Sequence, residues 1–155
     1  MKIAVIQVRG GIHLSREHMD SLKFLNLRKK NSCVILENNP NYMGLLVKLK
    51  DYVTWGEVDA DTLKLLIEKR GRLAGNKALD ENYLKEKTKM TFEQFSKGLM
   101  ENKIKLKDVP GMKTYFRLTP PRGGHEREGI KKQFSMGGAL GYRKNDINRL
   151  LRRMI

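Results

Sequence analysis

Over the first 58 residues the apolar pattern switches repeatedly between a strand period and a helix period, and this restricts the fold more than any other feature. Residues 2–8 alternate Ile3, Val5 and Val8 against Ala4 and Ile6, which predicts a buried strand ended by Gly10-Gly11. Ser15 is a candidate N-cap for a helix whose Met19, Leu22 and Leu25 recur every three residues, with Phe24 alongside. Residues 32–37 (SCVILE) read as a second strand. Asn39 and Pro40 start a helix over 40–51, because proline suits a first turn whose N–H groups have no helical partner. Met43, Leu46 and Val47 are its expected inward residues. Residues 52–58 (YVTWGEV) form a third strand, with Trp55 in the core. The order β-α-β-α-β predicts an α+β body: a small sheet with both helices on one face.

Beyond residue 58 the pattern is helical and irregular. Asp59 or Asp61 caps a helix carrying Leu63, Leu66 and Ile67, which stops at Arg70 with Gly71 in the C′ position. A short helical turn over 79–84 precedes Thr91 and Gln94, a capping box for a helix with Phe92, Phe95 and Leu99 inside. A last helix over 145–154 carries Ile147, Leu150, Leu151 and Met154 on one stripe, with Arg149, Arg152 and Arg153 mainly off it. Three segments are therefore expected: a β-α-β-α-β core over 1–58, a helical extension over 59–109 and a basic, glycine-rich segment over 110–155.

Charge separates the last segment from the rest. Of 32 Lys and Arg residues against 17 Asp and Glu, residues 110–155 hold eleven basic and three acidic side chains, together with seven of the 14 glycines. Glycine lets a backbone approach closely and cations neutralise phosphates, so the segment suits a polyanion. Its few large apolar residues predict that much of 122–142 orders only on RNA. A sequence pI of about 10.0 leaves nucleic acid or an anionic membrane as partner. No apolar run approaches the ~20 residues of a spanning helix. The first eleven residues read as a strand, not a signal peptide, which points to a cytoplasmic protein.

Catalysis and cofactor chemistry have no motif to rest on. His13, His18 and His125 have no metal spacing, and His125-Glu126 continues as Arg-Glu-Gly instead of completing HExxH. They read as solvated or RNA-facing. Cys33 lies inside an apolar strand and reads as a small buried hydrophobe. GGALGYRK (137–144) has the look of a phosphate loop but lacks GK[ST], so no nucleotide, metal or other cofactor is expected. A small-molecule substrate is not expected either.

The candidate RNA-binding residues are the clustered cations and their glycines. On the body these are Arg9 and the triplet Arg28, Lys29 and Lys30. Further on they are Arg70, Arg72, Arg117, Arg122 with Gly123 and Gly124, Arg127, Lys131 and Lys132. The set closes with Gly137 and Gly138, Arg143 and Lys144, and Arg149, Arg152 and Arg153. Pro120-Pro121 stiffens the approach to Arg122. Lys103, Lys105 and Lys107 are scattered and read as a solvated face. Phe134 and Tyr142 could stack on bases, but packing is the first reading.

Two stretches carry a family resemblance. LNLRKKNSCVILENNPNYMGLLVKLKDYVTWGEVD (25–59) resembles the core of the large-subunit ribosomal protein L-thirty family. LTPPRGGHEREG (118–129) and FSMGGALGYRKNDINRLLRRMI (134–155) resemble the C-terminal extension of its long form, found in archaea and eukaryotes and called L-seven in the latter. The resemblance spans nearly the whole chain. Without the long basic N-terminal extension of eukaryotic members, the chain looks archaeal in kind. The resemblance implies a three-stranded antiparallel sheet related to ferredoxin-like folds, with a helical C-terminal extension. It also implies a non-enzymatic, structural place in the large ribosomal subunit. The partners it implies are large-subunit rRNA near the 5S rRNA and neighbouring ribosomal proteins. The rivals are a free RNA-binding regulator and a nucleic-acid-processing enzyme, the latter disfavoured because the acidic residues are dispersed among helix faces and caps.

Overall fold

A computed structural model of the chain describes residues 1–12 and 14–155, so the reading of His13 lies outside the described residues. Strand β1 (Lys2–Gln7) lies at the centre of the sheet, antiparallel to both β2 (Ser32–Glu37) and β3 (Val53–Glu57). Helices α1 (Arg16–Phe24) and α2 (Pro40–Lys48) connect them and pack on one face, as the order of elements predicts. The sheet is wider than the three strands expected. Strand β4 (Tyr115–Arg117) joins antiparallel beside β2, and β5 (Gly141–Tyr142) joins parallel beside β3, giving the order β4-β2-β1-β3-β5. Short strands from the basic segment thus cover both edges of the body, edges that would otherwise offer unpaired backbone groups to other chains.

Both faces of the sheet are covered. Ile3, Val5, Val34, Val53 and Trp55 meet Leu22, Leu25, Leu46 and Leu49 from α1 and α2 and the adjoining turns. Ala4, Ile6, Cys33 and Phe116 face the other way, toward α3 (Ala60–Arg70), α5 (Phe92–Met100) and α6 (Asp146–Met154), with α4 (Glu81–Thr88) adding Leu84. This explains why β1 is apolar on both sides, the pattern of a strand between two helical layers. On α6, Ile147, Leu150, Leu151 and Met154 are all buried, as their spacing requires. At roughly 1.5–3 kcal/mol for each side chain removed from water, that stripe contributes about 6–12 kcal/mol before entropy.

Several local expectations change. Met19 and Phe24 on α1 and Val47 on α2 point to solvent, because the inward stripe of α2 passes through Leu46 to Leu49. The short helix starts at Glu81, behind Asp80, instead of at residue 79. Gly71 ends α3 without left-handed geometry (φ −59°). Its requirement is steric: a Cβ there would lie 2.4 Å from the Ile67 carbonyl oxygen and 3.1 Å from Leu79 Cβ. The capping box of α5 forms as expected, with Thr91 Oγ1 accepting from the Gln94 amide and the Gln94 side chain accepting from the Thr91 amide.

The basic segment is held by more than large apolar residues. Ala139 and Leu140 are buried against Val8, and Phe134, Ala139 and Leu140 make backbone hydrogen bonds within residues 129–140. Composition counts none of these backbone bonds, nor the buried ion pair described below, so it understates what orders residues 122–142.

Candidate nucleic-acid interface

Register places the candidate cations. Gln7 pairs with Val53 and Ser32 with Arg117, so the ends of β1 and β4 and the starts of β2 and β3 share one end of the sheet. Arg9 leaves β1 there, with its guanidinium 5.2 Å from the centre of the Tyr52 ring and donating to the Asp51 carbonyl. The turn bearing Arg28, Lys29 and Lys30 enters β2 beside it. Asn31, in left-handed conformation (φ 63°), donates its amide to Gln7 O and accepts from the Leu118 amide. This stitches the triplet to the end of β4, where Arg117 is exposed, and so to the PPRGG loop (120–124).

The PPRGG loop rests on the end of α6. The Arg122 amide donates to Arg153 O at 2.9 Å, while the Arg153 side chain donates to the carbonyls of Arg122 and Gly124. Gly123 and Gly124 both have positive φ, and, its chain neighbours aside, no heavy atom of the described residues lies within 4 Å of a Cβ at Gly124. Residue 124 therefore leaves open space against which a ligand backbone can lie. Arg127, Lys131 and Lys132 continue along the loop that packs on Val8, at the same end, although Lys132 is paired with Glu128 at 2.6 Å.

Arg143 departs from its expected role. Its side chain is 1% exposed and forks onto both oxygens of Glu126, donating also to Thr54 Oγ1 and the Ala139 carbonyl. The guanidinium also lies 4.6 Å from the centre of the Phe134 ring. Every nitrogen is engaged, so Arg143 holds the loop from inside and is withdrawn from the contact surface. Gly138 is also an internal requirement, because a Cβ there would lie 2.1 Å from the Lys132 carbonyl oxygen. Gly137 supplies a left-handed turn at φ 80°. Arg70 donates to Thr119 Oγ1 and to the Ile155 carbonyl, tying α3 to the end of α6. Arg72 and Lys144 lie away from the cationic end, Arg72 beside Lys113 and Lys144 beside Gly56. Arg149 is exposed on α6, and Arg152 reaches Thr62.

The electrostatics follow. Burial pushes the Glu126 carboxyl up, but hydrogen bonds and charge from Arg143 win and hold it below its usual range. Partial burial lowers the His125 imidazole; Glu126 opposes this, and Arg143, Lys30 and Arg153 lower it further. The Lys30 turn and the PPRGG loop therefore share one positive field. Among the described residues nine of the 32 Lys and Arg side chains have an ion-pair partner, and Arg28, Lys29, Lys30, Arg117, Arg122, Arg127 and Lys131 are not among them. No group of three or more His, Cys, Asp or Glu among the described residues is placed to hold a metal. Cys33 is fully buried, which pushes its thiol up and keeps it protonated.

Reading the sequence missed Glu126, whose partner is 17 residues away with no periodicity to join them, and Asn148. Asn148 Oδ1 accepts from the Asp59 amide at 2.9 Å and Nδ2 donates to Glu57 O, fixing α6 to the end of β3. A polar residue on the inner side of an apolar stripe was the available signal. Tyr142 packs at a tilt against Trp55 and donates to Glu57, which favours packing over stacking on bases.

Residues 3–53 match the family model described as Ribosomal protein L30p/L7e. Over its full 155 residues the chain is 48% identical to the whole of large ribosomal subunit protein uL30 from Methanococcus maripaludis. It is 46% identical to the Methanopyrus kandleri uL30 over 96% of this chain and all of that one. The Archaeoglobus fulgidus uL30 is 45% identical over 97% of this chain and 98% of its own. The aligned spans take in the basic segment as well as the sheet. The chain belongs to the uL30 (L30p/L7e) family of ribosomal proteins.

Proposed function

We propose that the chain is a structural constituent of the large ribosomal subunit that binds large-subunit rRNA through the cationic end of its sheet. One observation carries this: cations from four separated parts of the sequence converge there without carboxylate partners. Positive charge left unpaired in a chain of net charge +15 is held ready for a polyanion. Phosphates packed closely in folded RNA are neutralised by Arg28, Lys29, Lys30, Arg117, Arg122, Arg127 and Lys131, while Arg153 and Arg143 hold the loops that present them. Recognition is of shape and backbone, since glycine turns and fixed cations read phosphate positions and not base edges. In this reading the sheet and its edge strands bear the RNA, the helices over 59–109 cover the second face, and the bound region adjoins the 5S rRNA. Residence is with the subunit in the cytoplasm, beside neighbouring ribosomal proteins, and no catalytic step is involved.

Gradient sedimentation of a cell extract with detection of this protein tests the reading. Stoichiometric migration with large subunits, retained at moderate salt, is the expected result. A pool running mainly as free protein would overturn it in favour of a regulator acting outside the ribosome.

A further inference from the structure

Strand β4 covers only the first half of the outer edge of β2. Its pairing runs from Ser32 to Val34 and stops, because the chain before β4 turns away and the Lys113 amide donates to Arg72 O. Ile35, Leu36 and Glu37 are left as edge. On the inner side the Asn38 amide donates to Met1 O, so by alternation Ile35 and Glu37 turn their backbone groups outward. The Glu37 carbonyl accepts from the Asn39 amide, while the Glu37 amide and the Ile35 carbonyl have no partner on that side among the described residues. This edge lines a groove of about 480 Å³, at the end of the sheet away from the cationic cluster. Phe24, Leu25 and Tyr42 wall it from the α1–α2 side, and Leu99 and Leu106 from the other. Phe24 is 68% exposed, a large apolar ring at the rim that belongs to neither core. Lys2 and Glu37 at the groove are paired with each other, whereas Lys105 and Lys107 are exposed and lack ion-pair partners, which leaves it a net charge of +2.

We propose that an extended segment of a neighbouring large-subunit protein, with alternating apolar residues and one or more carboxylates, enters this groove and continues the line of β4 along β2. The proposal rests on the ribosomal function above and names the chemistry of one protein partner. Backbone bonds to Ile35 and Glu37 supply the ladder, the mode by which a sheet edge takes up a strand from another chain. A short segment is enough, since β4 itself joins this edge over three residues. Side chains of the added strand point alternately to the two faces, so its apolar residues meet Phe24 on one and Leu106 on the other. Its carboxylates meet Lys105 and Lys107. RNA does not suit the groove: it offers no N–H and C=O ladder, and apolar walls strip a phosphate of its hydration without compensation. A second copy of this chain does not suit it either, because pairing two such edges brings the same lysines together as like charges.

Crosslinking in intact subunits tests this. Cys33 is buried, so Lys107→Cys gives the chain one accessible thiol, at the rim of the groove. Large subunits isolated from cells that carry this variant are labelled with a thiol-directed photocrosslinker and irradiated. The expected product joins residue 107 to one neighbouring protein, at a peptide with alternating apolar residues and an Asp or Glu. Adding Glu37→Pro removes the outward amide without touching the bonds to β1, and is expected to lower the yield about fivefold, the effect of one lost hydrogen bond. Glu37→Gln keeps the amide and is expected not to lower it. Phe24→Asp, at an exposed position, removes the apolar rim, adds a repelling charge and is expected to lower the yield as much; it decides alone if Glu37→Pro does not fold. Full yield in Phe24→Asp and in a folded Glu37→Pro overturns the proposal. So does a crosslink to rRNA or to a second copy of this chain, or the lack of any crosslink to protein. Both variants are expected to keep the affinity of the free chain for large-subunit rRNA, because the groove lies at the other end of the sheet. Absence of the unaltered chain from large subunits would instead overturn the ribosomal function itself.

Discussion

Arg143 and Glu126 show how one buried pair organises a polar loop. A guanidinium with every nitrogen satisfied is tolerated in the interior, but only while its carboxylate remains. Glu126→Ala is expected to lower stability by about 3–5 kcal/mol, read from thermal or urea unfolding, because it strands a buried charge. The pair also makes stability depend on pH. Glu126 binds protons less readily in the fold than in the unfolded chain, because its folded pKa is lowered. Its stabilisation is therefore complete above the unfolded value of about 4.3 and is lost as pH falls through the lower folded value. His125, also lowered, adds loss of stability as pH falls below its unfolded value of about 6.5. Melting from about pH 7 down to about pH 3 is expected to show both declines, with the acid one flattened in Glu126→Gln. An unchanged acid limb in that variant would remove Glu126 as its source.

Among the elements, those with local signals were legible. Three strands, two crossing helices, the Thr91 capping box and the α6 stripe all declare themselves through period or caps. Strands β4 and β5 do not, being three and two residues long and too short to show a period. Their places in the sheet depend on partners 81 or more residues away, such as Thr54 Oγ1 donating to the Gly141 carbonyl at 2.8 Å. Of the candidate interface, the exposed clusters were legible as charge, whereas Arg143 looks the same in sequence whether it faces solvent or Glu126. Two element-level tests follow. Thr91→Ala is expected to cost about 1 kcal/mol, as removal of an N-cap does, measured by unfolding. Leu151→Ala, at a fully buried position of α6, is expected to cost about 2–5 kcal/mol and to speed amide exchange in the PPRGG loop that rests on that helix. Slow exchange at Ala139 and Leu140 in the free protein would show that the loop is ordered before RNA arrives.

For the molecule as a whole, charge and fold act together: a sheet with both faces covered leaves one end for the clustered cations proposed to bind RNA. Affinity for large-subunit rRNA is expected to fall steeply with salt. Alanine at Arg28, Arg117, Arg122 or Lys131 should each reduce the slope of log affinity against log salt by about 0.7–1. Alanine at Lys97, exposed on α5, should leave it unchanged. Equal effects at all five positions would mean that the chain is held by its overall field and not by this surface.

The parallel pairing of β3 with β5 has a consequence for synthesis. Residues 53–57 emerge early, yet their outer neighbour is residues 141–142, and the helix that seals the second face ends at residue 154. Such long-range closure slows folding and keeps apolar surface open while the chain is still being made. A nascent chain halted before residue 141 therefore lacks the outer neighbour of β3 and the α6 stripe over the second face, leaving a bare sheet edge and part of that face open. Chains that stop short are expected to be cleared faster than the full chain, which pulse-labelling of truncated and complete chains measures.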